Sequence, residues 1–152
     1  MAAQLEEVGY QVEYLESGAP ARGNVFARLK GADSSRSALL IHGHLDVVPA
    51  EPADWSVHPF SGAVEDGYVW GRGAVDMKGG IACSVAAVLD YLGDHGGKPR
   101  EDGKGSISFL ITGDEEDVSI NGTIKLLQWA AAARGKIRSL RAGRAVQPGG
   151  DG

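Results

Sequence analysis

The chain has 152 residues, of which 43% are hydrophobic and 23% charged, values typical of one globular domain with a single core. Its formal net charge of −5 argues against nucleic acid as a main partner, and no apolar run approaches the roughly 18 residues that a membrane span needs. The first ten residues lack the basic start of a signal peptide, and the single cysteine excludes an internal disulfide framework. We therefore expect a cytoplasmic protein with neither nucleic-acid nor membrane partners.

The first part of the chain contains segments typical of strands. A short initial helix is predicted to end at Gly9. Residues 10–16 and 24–30 alternate apolar and polar side chains, as half-buried strands do. Residues 37–43 form a continuous apolar run, which predicts a central strand. Residues 51–62 are rich in proline and small residues and predict an ordered loop.

The second part alternates strands with helices. A short strand is predicted after the Asp66-Gly67 turn, and residues 79–97 have helical periodicity closed by glycines. Residues 106–113 predict a second buried strand, and residues 122–134 a helix. Strands that alternate with helices predict an α/β fold in layers, with a mostly parallel mixed sheet flanked by helices. Ligand sites in such folds lie beyond the carboxyl ends of the strands.

Polar residues end the apolar run in LLIHGHLDVVP, residues 39–49. In an extended segment His42, His44 and Asp46 project to the same side of the chain. A carboxylate two residues from a histidine can orient its imidazole, which is frequent at metal sites. A structural histidine with satisfied hydrogen bonds explains this stretch equally well.

Acidic residues follow two other turn-like segments. Asp76 lies in GRGAVDMKGG at the start of a predicted helix, where it is either a helix cap or a functional acid. FLITGDEED places four acids, Asp114 to Asp117, directly after a strand. They form either a solvated loop or a group of like charges that a cation compensates. Taken together, the three segments offer one imidazole and several carboxylates, a set suited to zinc.

The combined motifs HGHLDVVP, WSVHPFSG, GYVWGRGAVDMKGG and LITGDEE resemble the di-zinc aminoacylase and carboxypeptidase family of metallopeptidases. The resemblance covers residues 24–134. Its later half is similar to the succinyl-diaminopimelate desuccinylases, and its earlier half to general amidohydrolases and dipeptidases. It implies a partial three-layer catalytic domain with two Zn²⁺ ions, for which Co²⁺ can substitute. The implied substrate is a small N-acyl amino acid or dipeptide, whose amide bond is hydrolysed.

The resemblance also implies roles for five residues. His44 binds one zinc ion, and Asp46 holds its imidazole. Asp76 bridges both metals, and a cis peptide bond follows it. Glu115 is the general base and Glu116 a ligand of the second zinc. We expect the side chains of His44, Asp76 and Glu116 to lie within about 8 Å of one another. No direct role is expected for His42, His58 or His95, and Cys83 is expected to be a small buried residue.

The sequence also departs from the family pattern. After Glu116 it contains no histidine, and its only acids there are Asp117 and Asp151, so one further ligand for each zinc is missing. The lid and dimerisation domain, through which full-length relatives are expected to form homodimers, is absent as well. The resemblance thus predicts a fragment, residues 1–134, of a catalytic domain. The alternative is a truncated product without catalysis.

The final segment, residues 135–152, is predicted to be a disordered tail without function. Five basic residues oppose one acidic residue in positions 131–152, and no helical or strand period is visible. Its Arg, Gly, Ala and Pro bias is typical of GC-rich DNA read out of frame, which suggests the hypothesis of a frameshift near Arg134 to Lys136.

Overall fold

The structure, a computed structural model, describes residues 1–15, 23–33, 35–98 and 105–132. The helices and strands in these ranges are α1 (Ala2–Glu7), β1 (Gln11–Leu15), β2 (Asn24–Leu29), β3 (Leu39–His44), β4 (Val64–Glu65), β5 (Tyr68–Val69), α2 (Gly80–Gly93), β6 (Ile107–Thr112) and α3 (Thr123–Ala132). A 3₁₀ turn (Pro52–Asp54) and a turn with π-type hydrogen bonds (Ala74–Gly79) lie in the loops. None of the described helices has the length and apolar character needed to cross a membrane.

Four strands form a mixed sheet in the order β1-β2-β6-β3. β6 pairs with β3 in parallel and with β2 antiparallel, and β1 pairs with β2 antiparallel. The α/β class and the mixed sheet are confirmed, but parallel pairing is not in the majority among the described strands. The pairing of β1 with β2 is antiparallel because the link between these strands is short, whereas a parallel crossover needs a dozen or more residues.

The position of β3 in the sheet differs from the prediction. The apolar run at residues 37–43 predicts a central strand, but β3 stands at the end of the strand order in the described part of the chain. Leu39 at its start is 54% exposed. Apolar content predicts that a strand is covered on its faces, but it does not specify how many neighbouring strands pair with it.

The core occupies both faces of this sheet. On one face, α1 and α2 pack against the strands through the buried residues Leu5, Tyr10, Ala27, Leu29, Ile81, Val85, Val88, Leu92, Phe109 and Ile111. On the other face, Leu126 of α3 packs against Phe26 and Leu110. Because successive strand side chains alternate, β6 contributes Phe109 to the first cluster and Leu110 to the second. The described residues therefore form three layers with the sheet in the middle.

Most predicted elements are found close to their expected positions. Gly9 follows α1 with a φ of +89°, a conformation that glycine adopts without strain. The strand predicted after the Asp66-Gly67 turn is β5, which pairs with β4 in a hairpin. The helix predicted at residues 122–134 is α3, and its last two predicted residues lie outside the described residues. The predicted tail at residues 135–152 lies outside them as well.

Replacement of Phe109 by alanine should lower the free energy of unfolding by about 3–5 kcal/mol, because it removes a buried ring from the middle of the core. Phe109 is fully buried and stacks at 5.9 Å on Tyr10. Phe60→Ala is the matched control, since Phe60 is 60% exposed and its loss should cost less than about 0.5 kcal/mol. Urea denaturation measures both values, and equal losses in the two variants would contradict the described core.

Candidate metal centre

The parallel register of β3 and β6 brings two polar segments to the same edge of the sheet. His44, the last residue of β3, lies opposite Thr112, the last residue of β6. The pairing continues one step further, because the Leu45 N–H donates to the Thr112 carbonyl at 2.8 Å. The chain after β3 and the glutamate segment (residues 113–117) therefore leave the sheet side by side.

His44 is buried, and both of its ring nitrogens face oxygen atoms. Nδ1 donates to the main-chain carbonyl of Asp46 at 3.1 Å. This bond requires a proton on Nδ1, so a neutral ring presents the lone pair of Nε2. Nε2 lies 3.2 Å from Oδ1 of Asp76 and 3.7 Å from Oε2 of Glu115. The free nitrogen of the neutral ring thus points into a group of carboxylates.

The pKa of His44 is raised above its ordinary value of 6.5. Burial acts in the opposite direction, since it disfavours the charged ring. The hydrogen bonds to the Asp46 carbonyl and to the Asp76 carboxylate, together with the negative charges of Glu115 and Asp46, outweigh it. The surrounding acids therefore favour a positive charge at this position.

Asp76 reaches His44 from the turn that precedes α2. The peptide bond between Asp76 and Met77 is cis, which confirms the prediction. The alternative that Asp76 caps the helix is wrong, because Gly79 occupies the N-cap position of α2 and Asp76 has an extended conformation with φ −115° and ψ 102°. Gly43 allows β3 to pack closely against the start of α2, because a Cβ at this position would lie 2.7 Å from the Ile81 side chain, which would have to shift.

The glutamate segment is held by the carboxylate of Asp46. Its Oδ2 accepts hydrogen bonds from the Glu115 N–H at 2.7 Å and from the Glu116 N–H at 2.8 Å. Burial raises the pKa of the Asp46 carboxyl, but these hydrogen bonds and the nearby His44 lower it by more. The pKa of Asp46 therefore lies below its ordinary value. Oδ1 of Asp46 lies 3.7 Å from Nδ1 of His44, a distance of electrostatic attraction and not of a hydrogen bond.

The next turn of the chain is organised by Asp114, a residue that the sequence pattern does not distinguish from its acidic neighbours. Asp114 is 3% exposed, and its carboxylate accepts from the Asn121 N–H at 2.9 Å. Its main-chain carbonyl accepts from the Ser119 hydroxyl at 2.7 Å. Asn24 of β2 donates to the Asn121 carbonyl, and a Cβ on Gly122 would overlap the Asp114 carbonyl. These contacts join residues up to 97 positions apart, so no local motif reveals them.

Three of the predicted residues converge. One ligand atom each of His44, Asp76 and Glu116 lies within 4.8 Å of the others, closer than the limit of about 8 Å expected from the sequence. One imidazole nitrogen and two carboxylate oxygens match the N/O ligand set of zinc. Asp76, with 78% of its side chain exposed, leaves room around its second oxygen. These residues can hold a metal ion, and Glu115 lies beside them.

The other candidate residues lie outside this group. His42 is exposed, and the ring of His58 accepts a hydrogen bond from the Phe60 N–H in its own loop. His95 contacts the Tyr91 carbonyl at 2.6 Å near the end of α2. The prediction that Cys83 is buried is wrong, because the thiol is exposed. Cys83 follows Ile81 by two residues, which places it on the opposite side of the helix from the core.

A cleft of about 730 Å³ adjoins the converging residues. Its lining comes from both segments that leave the sheet, and consists of Gly23, Leu45, Asp46, Val47, Val48, Pro49, Gly113, Glu116 and Asp117. Clefts of this size accommodate small molecules. One of the three candidate ligands, Glu116, therefore borders a space that a small molecule can enter.

An imidazole and two carboxylates at the carboxyl edge of this sheet form a possible metal-binding group in an α/β domain. The model of Peptidase family M20/M25/M40 matches residues 40–149, and the chain belongs to this family. The matched residues include all three converging side chains and extend into the predicted tail. Enzymes of this family are typically metal-dependent and act on small molecules.

Several curated relatives are succinyl-diaminopimelate desuccinylases. The chain is 62% identical over 123 residues to that of Bradyrhizobium diazoefficiens, which covers 80% of this chain and 31% of the relative. It is 58% identical over 135 residues to that of Bradyrhizobium sp. strain ORS 278, covering 86% of this chain and 33% of the relative. The chain thus spans about a third of the length of these relatives.

The fold is also similar to a solved structure. The crystal structure of human carnosine dipeptidase 1 matches with a TM-score of 0.72 and 28% sequence identity, covering 91% of this chain and 29% of that one. The layered α/β arrangement is therefore the arrangement of a catalytic domain in this family.

The raised pKa of His44 predicts how the stability of the metal-free chain depends on pH. A raised pKa stabilises the folded state below the unfolded value of 6.5, and this contribution is lost as the pH rises through the folded pKa. The free energy of unfolding of the wild type, relative to that of His44→Gln, should therefore fall as the pH is raised from acidic values to values above 6.5. Urea denaturation across this range measures the difference, and a constant difference would show that the acids do not act on His44.

Proposed function

We propose that a full-length protein with this sequence is a zinc-dependent amidohydrolase that removes the succinyl group from N-succinyl-diaminopimelate. This activity belongs to lysine and diaminopimelate biosynthesis in the cytoplasm. Relatives at 54–62% identity are succinyl-diaminopimelate desuccinylases, which supports N-succinyl-diaminopimelate as the substrate. The observation that carries the chemistry is the convergence of His44, Asp76 and Glu116, with Glu115 at their side.

In this proposal the chain's own residues hold two Zn²⁺ ions. His44 would be a ligand of one ion, Glu116 a ligand of the other, and Asp76 a ligand of both. The 3.2 Å distance between Nε2 and the Asp76 carboxylate supports their sharing of one ion. Bound zinc supplies a Lewis acid that polarises the amide carbonyl and lowers the pKa of water. Co²⁺ has the same preference for nitrogen and oxygen ligands and is a possible substitute.

Glu115 is the proposed general base. Its carboxylate would accept a proton from the attacking water as the water oxygen bonds to the carbonyl carbon, and would return that proton to the amide nitrogen as the C–N bond breaks and the amine leaves. The products are succinate and diaminopimelate. Glu115 suits this role because its side chain is 42% exposed and lies within 3.7 Å of Nε2 of His44. Asp46 is proposed to support the same site by holding the imidazole of His44 through its main-chain carbonyl, which accepts from Nδ1 at 3.1 Å.

A general aminoacylase or dipeptidase activity is the second candidate. The likeness to human carnosine dipeptidase 1 favours it. The choice is tested with a full-length protein by comparing kcat/KM for N-succinyl-diaminopimelate, an N-acetyl amino acid and a dipeptide. The proposal requires the succinyl substrate to be preferred, and a preference for the dipeptide would replace it with the second candidate.

The chain of 152 residues is itself proposed to be inactive. It lacks a histidine after Glu116, and the acids that follow are Asp117 and Asp151. Residues 135–152 are proposed to take no part in the site. The full-length protein is proposed to be a homodimer, as the resemblance implies.

Glu115→Gln in a full-length protein should lower kcat by about 10²-fold to 10⁴-fold and leave the zinc content unchanged, because the base is lost while the ligands stay. Asp76→Ala should lose zinc as well, since it removes the bridging oxygens. Glu65→Gln is the control, because Glu65 is exposed on β4. Steady-state hydrolysis and elemental analysis measure the two effects. Equal zinc content in the Glu115 and Asp76 variants would contradict this division of roles.

A further inference from the structure

The carboxylate of Asp46 contacts the glutamate segment with one oxygen and lies near His44 with the other. One oxygen, Oδ2, accepts from the main-chain N–H groups of Glu115 and Glu116 at 2.7 and 2.8 Å. The other oxygen, Oδ1, is buried, has no hydrogen-bond partner among the described residues, and lies 3.7 Å from Nδ1 of His44. From this geometry we infer that Asp46 is a positioning residue for the glutamate pair, in addition to any contact with the imidazole. The inference rests on the proposed function of these residues.

Two bonds to one oxygen determine the orientation of the glutamate segment. Consecutive N–H groups converge on a single atom only in a narrow range of backbone conformations, so Asp46 defines the backbone at both residues. Hydrogen bonds to a charged acceptor are about twice as strong as neutral ones. Neighbouring side chains then leave the backbone in different directions. As a result, Glu116 offers an oxygen within 4.8 Å of the ligand atoms of His44 and Asp76, while the Glu115 carboxylate approaches Nε2 of His44 separately, at 3.7 Å.

The segment is also held from its other side. Asp114 closes the following turn through Ser119 and Asn121, and Asn24 of β2 connects that turn to the sheet. Asp46 comes from the end of β3, so its bonds attach the segment to the strand that carries His44. The distance between the histidine and the two glutamates is thus determined by one side chain that contacts all three residues.

Amide hydrogen exchange of the metal-free chain tests this inference residue by residue. In Asp46→Ala the exchange rates of the Glu115 and Glu116 amides should rise about tenfold or more, because their acceptor is lost. Asp46→Asn keeps an acceptor oxygen and should stay within about threefold of the wild type. Asp33→Ala is the matched control, since Asp33 accepts from the Ser35 N–H at 2.9 Å far from the site. It should leave both amides unchanged.

Two outcomes of this experiment would overturn the inference. One is an exchange rate in Asp46→Ala within about twofold of the wild type, since a role limited to the imidazole would not change these amides. The other is equally fast exchange in Asp46→Asn and Asp46→Ala. If the alanine variant does not fold, the wild type decides: NMR should detect scalar coupling from both amide nitrogens to Cγ of Asp46. Absence of that coupling at both amides would overturn the inference.

Zinc titration of the same variants, made in a full-length protein, separates this inference from the proposed function. Zinc affinity should fall about tenfold or more in Asp46→Ala and be restored to within about threefold in Asp46→Asn. If the wild type binds no zinc, the proposed function of this chain's residues fails, while the exchange rates still decide the role of Asp46. If zinc binds equally to all variants but amide exchange in Asp46→Ala rises as expected, Asp46 positions the backbone without affecting metal binding. The inference that it positions the glutamate pair for the metal centre is then overturned.

Discussion

The parallel pairing of β3 with β6 is the constraint on which the candidate centre depends. It places His44 opposite Thr112, so the two chain segments that carry the polar side chains leave the sheet at the same level. A shift of one residue in this pairing would move every side chain of β3 to the other face. Packing of Ile41 of β3 against the core cluster that contains α2 opposes such a shift, because the shift would turn this side chain away from the cluster. Core packing therefore determines the geometry of the site.

Charge explains why these residues are kept together. Asp76 and Glu115 lie within 3.7 Å of one imidazole nitrogen, and Asp46 and Glu116 are close by. Carboxylates gathered in this way repel each other unless a positive charge lies among them. The raised pKa of His44 has the same cause, because these acids favour a positive charge on its ring. A metal ion at the same place would supply a larger charge and would displace the proton from Nε2.

The sequence predicted the elements and the candidate ligands more fully than the contacts between them. Local periodicity is enough to locate β1, β2 and α2, and the family motifs are enough to single out His44, Asp76 and Glu116. The bonds from Asp46 to the Glu115 and Glu116 amides span 69 and 70 residues, so they depend on strand pairing that no local pattern encodes. The edge position of β3 was missed for the same reason. The exposure of Cys83 could have been predicted from the helical period, since its position is opposite the apolar stripe of α2.

Anomalous diffraction at the zinc absorption edge, from crystals of the chain grown with Zn²⁺, tests the central claim most directly. The account predicts a peak at the carboxyl edge of the sheet, with Nε2 of His44 and carboxylate oxygens of Asp76 and Glu116 among the ligands of zinc, at distances of about 2.0–2.2 Å. A peak bound instead by His42, His58 or His95, or no peak between His44 and Asp76 in a zinc-saturated crystal, would contradict it.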